Sequence, residues 1–296
     1  MPRPVCIVTG GNAGIGYAAA VQLARDGAEV VIAARSAERG EAAVASARRE
    51  SGSGAVSLVQ MDLSSRQSIV DGVEAFRKGG HDRLDVLIHN AADFDITRKE
   101  PTYSADGVET VWATNHVGPV LLTQRLEPEL LRAAQGRVVT VSSQGLVLHP
   151  RLRVRLDDPE FRRGGFRVDR AYYQSKLAQV MYTFWLAERY RDTAVTVNCV
   201  RVTNVQIDLA RYPDLSPLMR ALYAVKSRFS ISPSEMAEVY VWLALSPEVA
   251  HVSGVYFDHR RREVGAGRYA EDPANVHDVM VLTERYVPGV LGAHPS

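Results

Sequence analysis

Tyr172 and Lys176 stand four residues apart in the run Tyr172-Tyr173-Gln174-Ser175-Lys176, a spacing that puts both on one face of a helix. A free phenol ionises at about pH 10 and shuttles protons poorly near neutrality. A neighbouring ammonium favours the phenolate and lowers that value, which suits general acid–base chemistry at an oxygen. A hydroxyl is available from Ser143, at the end of the apolar run Val139-Thr140-Val141-Ser142-Ser143, where it can hydrogen-bond a substrate oxygen. Chance Tyr-x-x-x-Lys pairs are common on helices, so this pair takes its meaning from what the rest of the chain supplies.

The chain supplies a nucleotide-binding turn. Val5 to Thr9 is a short apolar run that reads as a buried parallel strand, and it leads into Thr9-Gly10-Gly11-Asn12-Ala13-Gly14-Ile15-Gly16 and then a helix. Glycines at a strand–helix junction let the backbone turn tightly and approach a pyrophosphate. The helix N-terminus adds free N–H groups and a partial positive charge. The spacing Gly-x-x-x-Gly-x-Gly differs from the commoner Gly-x-Gly-x-x-Gly fingerprint, and an isolated glycine triplet is weak; its place between first strand and first helix gives it weight. The second strand ends Ile32-Ala33-Ala34-Arg35-Ser36, with no acid to hold a ribose 2′-hydroxyl and with Arg35 placed to take a 2′-phosphate. The expected cofactor is therefore NADP(H).

These groups need a scaffold, and strand-like and helix-like stretches alternate throughout. Strands are expected at 5–9, 29–33, 56–60, 84–89, 137–142, 194–200 and 254–258. Helices are expected near 16–26, 36–50, 65–78, 105–132, 169–191 and 234–244, the fourth of these broken near Gly118-Pro119. Such alternation predicts a doubly wound parallel sheet, the α/β Rossmann arrangement, as one domain over residues 1–296. Two stretches interrupt the rhythm, Gln144 to Val168 and Asp208 to Ser232. Both leave from the carboxyl edge of the sheet, where they are expected to wall a substrate pocket.

Composition narrows the partners. Thirty-five bases against thirty-four acids give a net charge of +1, with no call for nucleic acid or an anionic membrane. Two cysteines, Cys6 and Cys199, argue against a disulfide framework. No apolar run is long enough to insert in a bilayer, and Met1-Pro2-Arg3-Pro4 enters the first strand without a secretory or transit pattern. A cytoplasmic setting is expected. The eight histidines show no ligand pair, so no metal is expected. Ser143-Gln144-Gly145 lacks the leading glycine of a nucleophile elbow, which disfavours hydrolysis. The arginines between 151 and 170 are interspersed with acids and read as a solvated, internally paired loop.

Taken together, Thr9-Gly10, Gly14-Ile15-Gly16, Asp62-Leu63, Asn90-Ala91, Asn115, Ser143, Tyr172 and Lys176 resemble the short-chain dehydrogenase/reductase family in order and interval, over almost the whole chain. Asn115-His116-Val117-Gly118, Tyr173-Gln174-Ser175-Lys176-Leu177-Ala178 and Ser253-Gly254-Val255-Tyr256-Phe257 are similar to its retinol dehydrogenase and WW-domain oxidoreductase branch. The resemblance implies Tyr172 as proton donor or acceptor and Lys176 as holder of the nicotinamide ribose. It implies Ser143, rather than Ser142, as the group that polarises a carbonyl, and Asn115 as the holder of a water leading from Lys176 to solvent. Asp62 would contact adenine with Leu63 beside it, Asn90 and Ala91 would border the cofactor, and Asn12 would belong to the phosphate turn. It also implies a homodimer or homotetramer packed through the helices carrying Asn115 and Tyr172. Departures are Ala92 for a usual glycine, Val202-Thr203 for a usual Pro-Gly, and Ile207 for a cofactor-bonding threonine. They put the usual carboxamide seat in question, with Thr203 or Asn204 as substitutes.

The expected function is hydride transfer between nicotinamide and a carbonyl or alcohol carbon of a small molecule, which the branch resemblance implies to be hydrophobic or polycyclic. Two alternatives stand beside it: reduction of a C=C bond, or a redox-neutral reaction, on the same scaffold; and a non-catalytic NADP(H)-binding regulator.

Overall fold

Period-two burial along the first strand shows how the two layers arise. In β1 (Val5–Thr9), Ile7 faces one core while Cys6 and Val8 face another, and all three are buried. The computed structural model describes residues 3–206 and 230–292. Its strands are β1, β2 (Glu29–Ala34), β3 (Val56–Gln60), β4 (Val86–His89), β5 (Arg137–Ser143), β6 (Thr196–Val202) and β7 (Val255–Phe257). They form one seven-stranded sheet in the order β3-β2-β1-β4-β5-β6-β7, with every pairing parallel. Order reverses between β1 and β4, and a crevice opens there beyond the strand ends.

Helices cover both faces. α1 (Gly14–Arg25), α2 (Ala37–Ser51) and α7 (Pro233–Leu245) pack on one. α3 (Arg66–Lys78), α5 (Gly118–Arg132) and α6 (Val168–Arg189) pack on the other. Serine caps start three of them: Ser36 accepts from Arg39 N, Ser65 from Ser68 N, and Ser232 from Glu235 N. The helix expected from residue 105 begins later, as the short α4 (Thr110–Trp112). It widens into a π-turn over Ala113–Val117 before α5, so the break falls just ahead of Gly118 and not at the proline.

The sequence reading missed the C-terminal segment, α8 (Arg268–Glu271) and α9 (Pro273–Glu284). Asp272 caps α9 through Ala274 N and Pro273 opens its first turn, signals legible in the chain. α9 packs on α6, burying Val276, Val279 and Met280. Thr283 meets His116 of the π-turn at 2.8 Å. The helices expected to carry subunit contacts are thus covered on this side by the chain's own C-terminal segment. Segment 208–232 lies almost wholly outside the described residues, as does Ile207.

Candidate active site

The first helix differs from its serine-capped neighbours. Its N-cap is Ala13, which has no side chain to accept a hydrogen bond, and its first turn holds no acid. The N–H groups at the start of a helix need partners, so this terminus is left open to an anion. Gly10 and Gly14 adopt φ of 63° and 58°, conformations that let the chain double back beneath it. Gly16 serves a different end. It does not line the crevice; a Cβ there would lie 2.3 Å from Asn90 Nδ2 and 2.7 Å from the Gly10 carbonyl. Its bareness lets Asn90 close in, donate to the Thr9 carbonyl at 2.9 Å, and hold the turn against the end of β4.

A crevice of about 530 Å³ opens over this turn. Among its walls are Thr9, Gly10, Asn12, Gly14, Ile15, Arg35, Asp62, Leu63, Asn90 and Ala91, ten of the residues expected to touch a cofactor. Thr9 is a wall and a strut: its hydroxyl donates to the Ile88 carbonyl at 3.1 Å and accepts from Ala91 N at 3.0 Å. Asp62 commits Oδ1 to Ser64 N and Oγ at 2.9 and 2.7 Å. Sequence reasoning missed Arg39. It sits one turn into α2, so it lines the same corner as Arg35 and Ser36. The available signal was a second base in the first turn of the helix that follows Arg35.

Lys176 and Tyr172 are brought to the end of β5. Lys176 Nζ donates to the Val141 carbonyl at 2.9 Å, and Ser142 Oγ donates to the Lys176 carbonyl at 3.2 Å. That double tie brings α6 against the strand end that carries Ser143. The ammonium lies 5.7 Å from the centre of the Tyr172 ring. Lys176 is 2% exposed, and burial pulls its pKa down from 10.5 to about 8, while Cys199 nearby acts in the opposite direction. Phe94 lies against the other side of Tyr172, with ring centres 4.3 Å apart. Ser143 Oγ accepts from Gly145 N at 3.2 Å, turning the chain away from the strand. Gly145 admits the Tyr173 ring, which a Cβ there would meet at 2.2 Å.

The Asn115 side chain bonds to protein groups on two elements. Oδ1 accepts from Asp93 N at 2.6 Å, while Nδ2 donates to the Asp93 carbonyl at 3.1 Å and to Ser175 Oγ at 3.0 Å. The amide thus fastens the loop after β4 to α6, and through Asp93 it sets the position of Phe94.

The altered segment after β6 also resolves geometrically. Thr203 gives its hydroxyl to Gln144 Oε1. Asn204 gives its carbonyl to Ile231 N at 3.1 Å, and Gln206 N donates to the Ile231 carbonyl at 3.0 Å. In a parallel bridge, alternate residues turn their peptide groups to opposite sides, so the Val205 N–H and C=O point away from Ile231. Val205 lines the crevice, and Thr203 and Asn204 do not.

The long insertion divides in two. Gln144–Leu148 forms a 3₁₀ turn beside the site, leaving Val147 58% and Leu148 79% exposed. From Arg153 on it runs along α6 and the C-terminal segment: Arg155 N donates to Gln174 Oε1 at 3.0 Å, Phe161 and Phe166 pack in the cluster that holds Tyr172, Arg153 lies over the Tyr269 ring, and Glu160 accepts from Tyr286 OH at 3.0 Å. Its charges pair locally, Arg155 with Asp158, Arg162 with Glu160, Arg163 with Asp157 and Arg167 with Asp169, so the loop is internally paired as expected, but Asp158 and Glu160 are buried and not solvated.

A parallel doubly wound sheet, an uncapped helix over a glycine turn, and a Tyr–Lys helix face tied to a serine-bearing strand end define a nucleotide-binding oxidoreductase scaffold. Residues 4–150 match the family described as short chain dehydrogenase. The chain is 38% identical over 257 residues to dehydrogenase/reductase SDR family member 13 of Bos taurus, covering 85% of this chain and 64% of that protein. It is 32% identical over 275 residues to retinol dehydrogenase 13 of Homo sapiens, covering 92% and 81%. A crystal structure of an uncharacterized protein from Mycobacterium paratuberculosis superposes with a TM-score of 0.73 at 26% identity, over 99% of this chain and 95% of that one. The chain belongs to the short-chain dehydrogenase/reductase family, in the retinol dehydrogenase branch. No helix among the described residues is long and apolar enough to cross a membrane.

Proposed function

We propose that this chain is an NADP(H)-dependent reductase/dehydrogenase interconverting a carbonyl and an alcohol on a hydrophobic small molecule. The observation that carries this reading is the fastening of Lys176 to Val141, which holds the Tyr172 helix face at the strand end bearing Ser143; to the crevice over the glycine turn we assign the dinucleotide. When bound, the dihydronicotinamide supplies hydride to the carbonyl carbon.

The chain's own groups do the rest. The open N-terminus of α1 takes the pyrophosphate, with Gly10 and Gly14 providing the close approach. Arg35 and Arg39 bind the 2′-phosphate through charge-assisted hydrogen bonds. Asp62 and Leu63 flank the adenine. The Val205 peptide offers one donor and one acceptor, the complement of a primary carboxamide, in place of the missing Pro-Gly and threonine. Tyr172 gives its phenolic proton to the substrate oxygen in reduction and takes it back in oxidation, and Ser143 donates to the same oxygen. Lys176 holds the ribose and keeps a positive charge beside the phenol. Asn115 positions the Asp93–Phe94 loop and the Ser175 turn around that pair.

Substrate preference follows from the walls. Phe94 lies against Tyr172, Tyr173 meets Tyr172 edge-on with His149 against its own ring, and Val147 and Leu148 present apolar surface nearby. Such a mouth favours a flat apolar body over a sugar or an organic acid. Free, buried Cys6 and Cys199 suit a reducing cytosol. α9 covers part of α6, so an oligomer packed through that helix would use the face α9 leaves open.

Transfer from deuterium-labelled NADPH tests the assignment. Label at a carbinol carbon of an aromatic or polyene aldehyde or ketone is the expected outcome. Label at an alkene carbon would assign the scaffold to C=C reduction, and tight NADPH binding with no transfer over a broad carbonyl panel would leave a regulator.

A further inference from the structure

A second cavity, of about 450 Å³, lies behind the cofactor crevice and is separate from it. Leu63 is the wall the two share. The π-turn divides them: Thr114 faces the crevice, whereas Ala113 and Val117 face this cavity. The size falls within the roughly 300–1,000 Å³ typical of small-ligand pockets. Its floor is apolar, made by Leu63, Ile69, Val108, Val117 and Leu121.

The rim carries charge, and one of its two carboxylates is neutralised by a salt bridge. Glu160 accepts from Tyr286 OH at 3.0 Å, from Glu109 N at 2.9 Å and from Arg162 at 2.9 Å, so its carboxylate is compensated. Asp106 accepts from the backbone N–H of Arg66 at 2.6 Å. Two guanidinium groups keep donors to spare. Among the described residues the Arg66 guanidinium makes one hydrogen bond, to the Tyr286 carbonyl at 2.6 Å, of the five its fork can make. Arg285 is exposed and pairs with no carboxylate among the described residues. An apolar floor under two under-used guanidinium groups matches a ligand with an apolar body and one anionic head.

We propose that this cavity binds a small amphiphilic anion, a medium-chain carboxylate being the simplest member of the class, with its head at Arg285 and Arg66 and its body on the Leu63–Leu121 floor. The stretches that build the cavity, residues 63–69 into α3, the turn at 106–108, the π-turn with α5, Glu160 of the insertion and the C-terminal segment, meet only in the folded chain. The site does not depend on the catalytic assignment, since it uses none of the residues placed in hydride or proton transfer.

Calorimetric titration of decanoate into the full chain saturated with NADPH tests the proposal. One equivalent is expected to bind. Arg285→Glu should weaken it at least tenfold, and Val108→Trp, at a half-buried turn, should abolish it by filling the floor. Decanol should bind wild type at least tenfold more weakly than decanoate and ignore Arg285→Glu. Tyr172→Phe should bind decanoate as wild type does even if turnover is lost. No decanoate binding, or binding indifferent to both cavity variants, would overturn the proposal, the second result placing the anion in the substrate mouth instead.

Discussion

Lys176 and Val141 are joined by a 2.9 Å hydrogen bond from the buried ammonium to a strand carbonyl, and this one contact fixes where the Tyr172 turn of α6 meets β5. The ammonium sits among groups that leave it poorly solvated. His89 on the neighbouring strand is also buried and feels that charge, its pKa driven down to about 3 by burial first and by Lys176 second. Thr123 gives its hydroxyl proton to the Pro119 carbonyl at 2.9 Å, so His89 Nε2 is the donor in its 2.7 Å bond to Thr123.

The depressed lysine makes a prediction with a sign. In the folded chain Lys176 titrates near 8, against 10.5 when unfolded. The cost of burying the ammonium is fully present below pH 8 and is relieved as pH climbs to 10.5, because the unfolded chain then holds the extra proton. Urea denaturation of wild type and Lys176→Met across pH 7–10.5 should therefore show wild type gaining roughly 3 kcal/mol on the variant in that window. Turnover should move the other way, falling above pH 8 as the charge beside Tyr172 is lost. A stability gap constant with pH would contradict the buried-ammonium account.

Tyr172→Phe removes the proton donor and leaves the ring contact with Phe94. Turnover should fall by about 10²–10⁴-fold, the usual worth of a positioned acid–base group. NADPH binding, followed by fluorescence, should change less than threefold. Equal loss of binding would mean that Tyr172 shapes the crevice more than it serves the chemistry.

Arg35 and Arg39 line the same crevice, and neither forms a salt bridge among the described residues. Arg35→Ala should weaken NADPH about tenfold or more and leave NADH nearly unchanged, since each charged hydrogen bond is worth about 1.5–3 kcal/mol. The double variant with Arg39→Ala should lose further affinity for NADPH only. Parallel losses for both cofactors would rule out the 2′-phosphate as their target.

Gly16→Ala puts a methyl 2.3 Å from Asn90 Nδ2 and 2.7 Å from a backbone carbonyl. Overpacking at such a site costs about 1–3 kcal/mol. The glycine turn should shift with it, so NADPH affinity should fall at least tenfold. Gly54→Ala is the control, because nothing lies within 4 Å of a Cβ there and its φ is not positive. Thermal melts of the two variants side by side would decide the matter.

Thr283→Val tests the C-terminal cover. Thr283 donates its hydroxyl to the Val279 carbonyl at 2.7 Å, so His116 Nε2 must be the donor in their 2.8 Å contact. The valine leaves a buried N–H without an acceptor, at a cost of about 1–3 kcal/mol. Burial holds His116 neutral, with its pKa near 3, so the loss should be the same at pH 6 and pH 8. A loss that vanished at pH 6 would mean the imidazole is protonated there.

Local physics carried much of the site in the chain itself. The i, i+4 spacing of Tyr172 and Lys176, the glycines around Ala13, and the alternation of apolar runs depend on neighbours in sequence, and the observed strands lie within two residues of where those patterns put them. Long-range contact decided the rest. Nothing within 20 residues of Lys176 could reveal that Val141 would take its ammonium, or that Asn115 would spend its amide on Asp93 and Ser175. The cover of α9 over α6, the pairing of Arg39 with Arg35 at one corner, and a second cavity walled by residues from 63 to 286 exist only once the helices have packed. Periodicity tells which face of an element is buried, and the packing alone determines what that face meets.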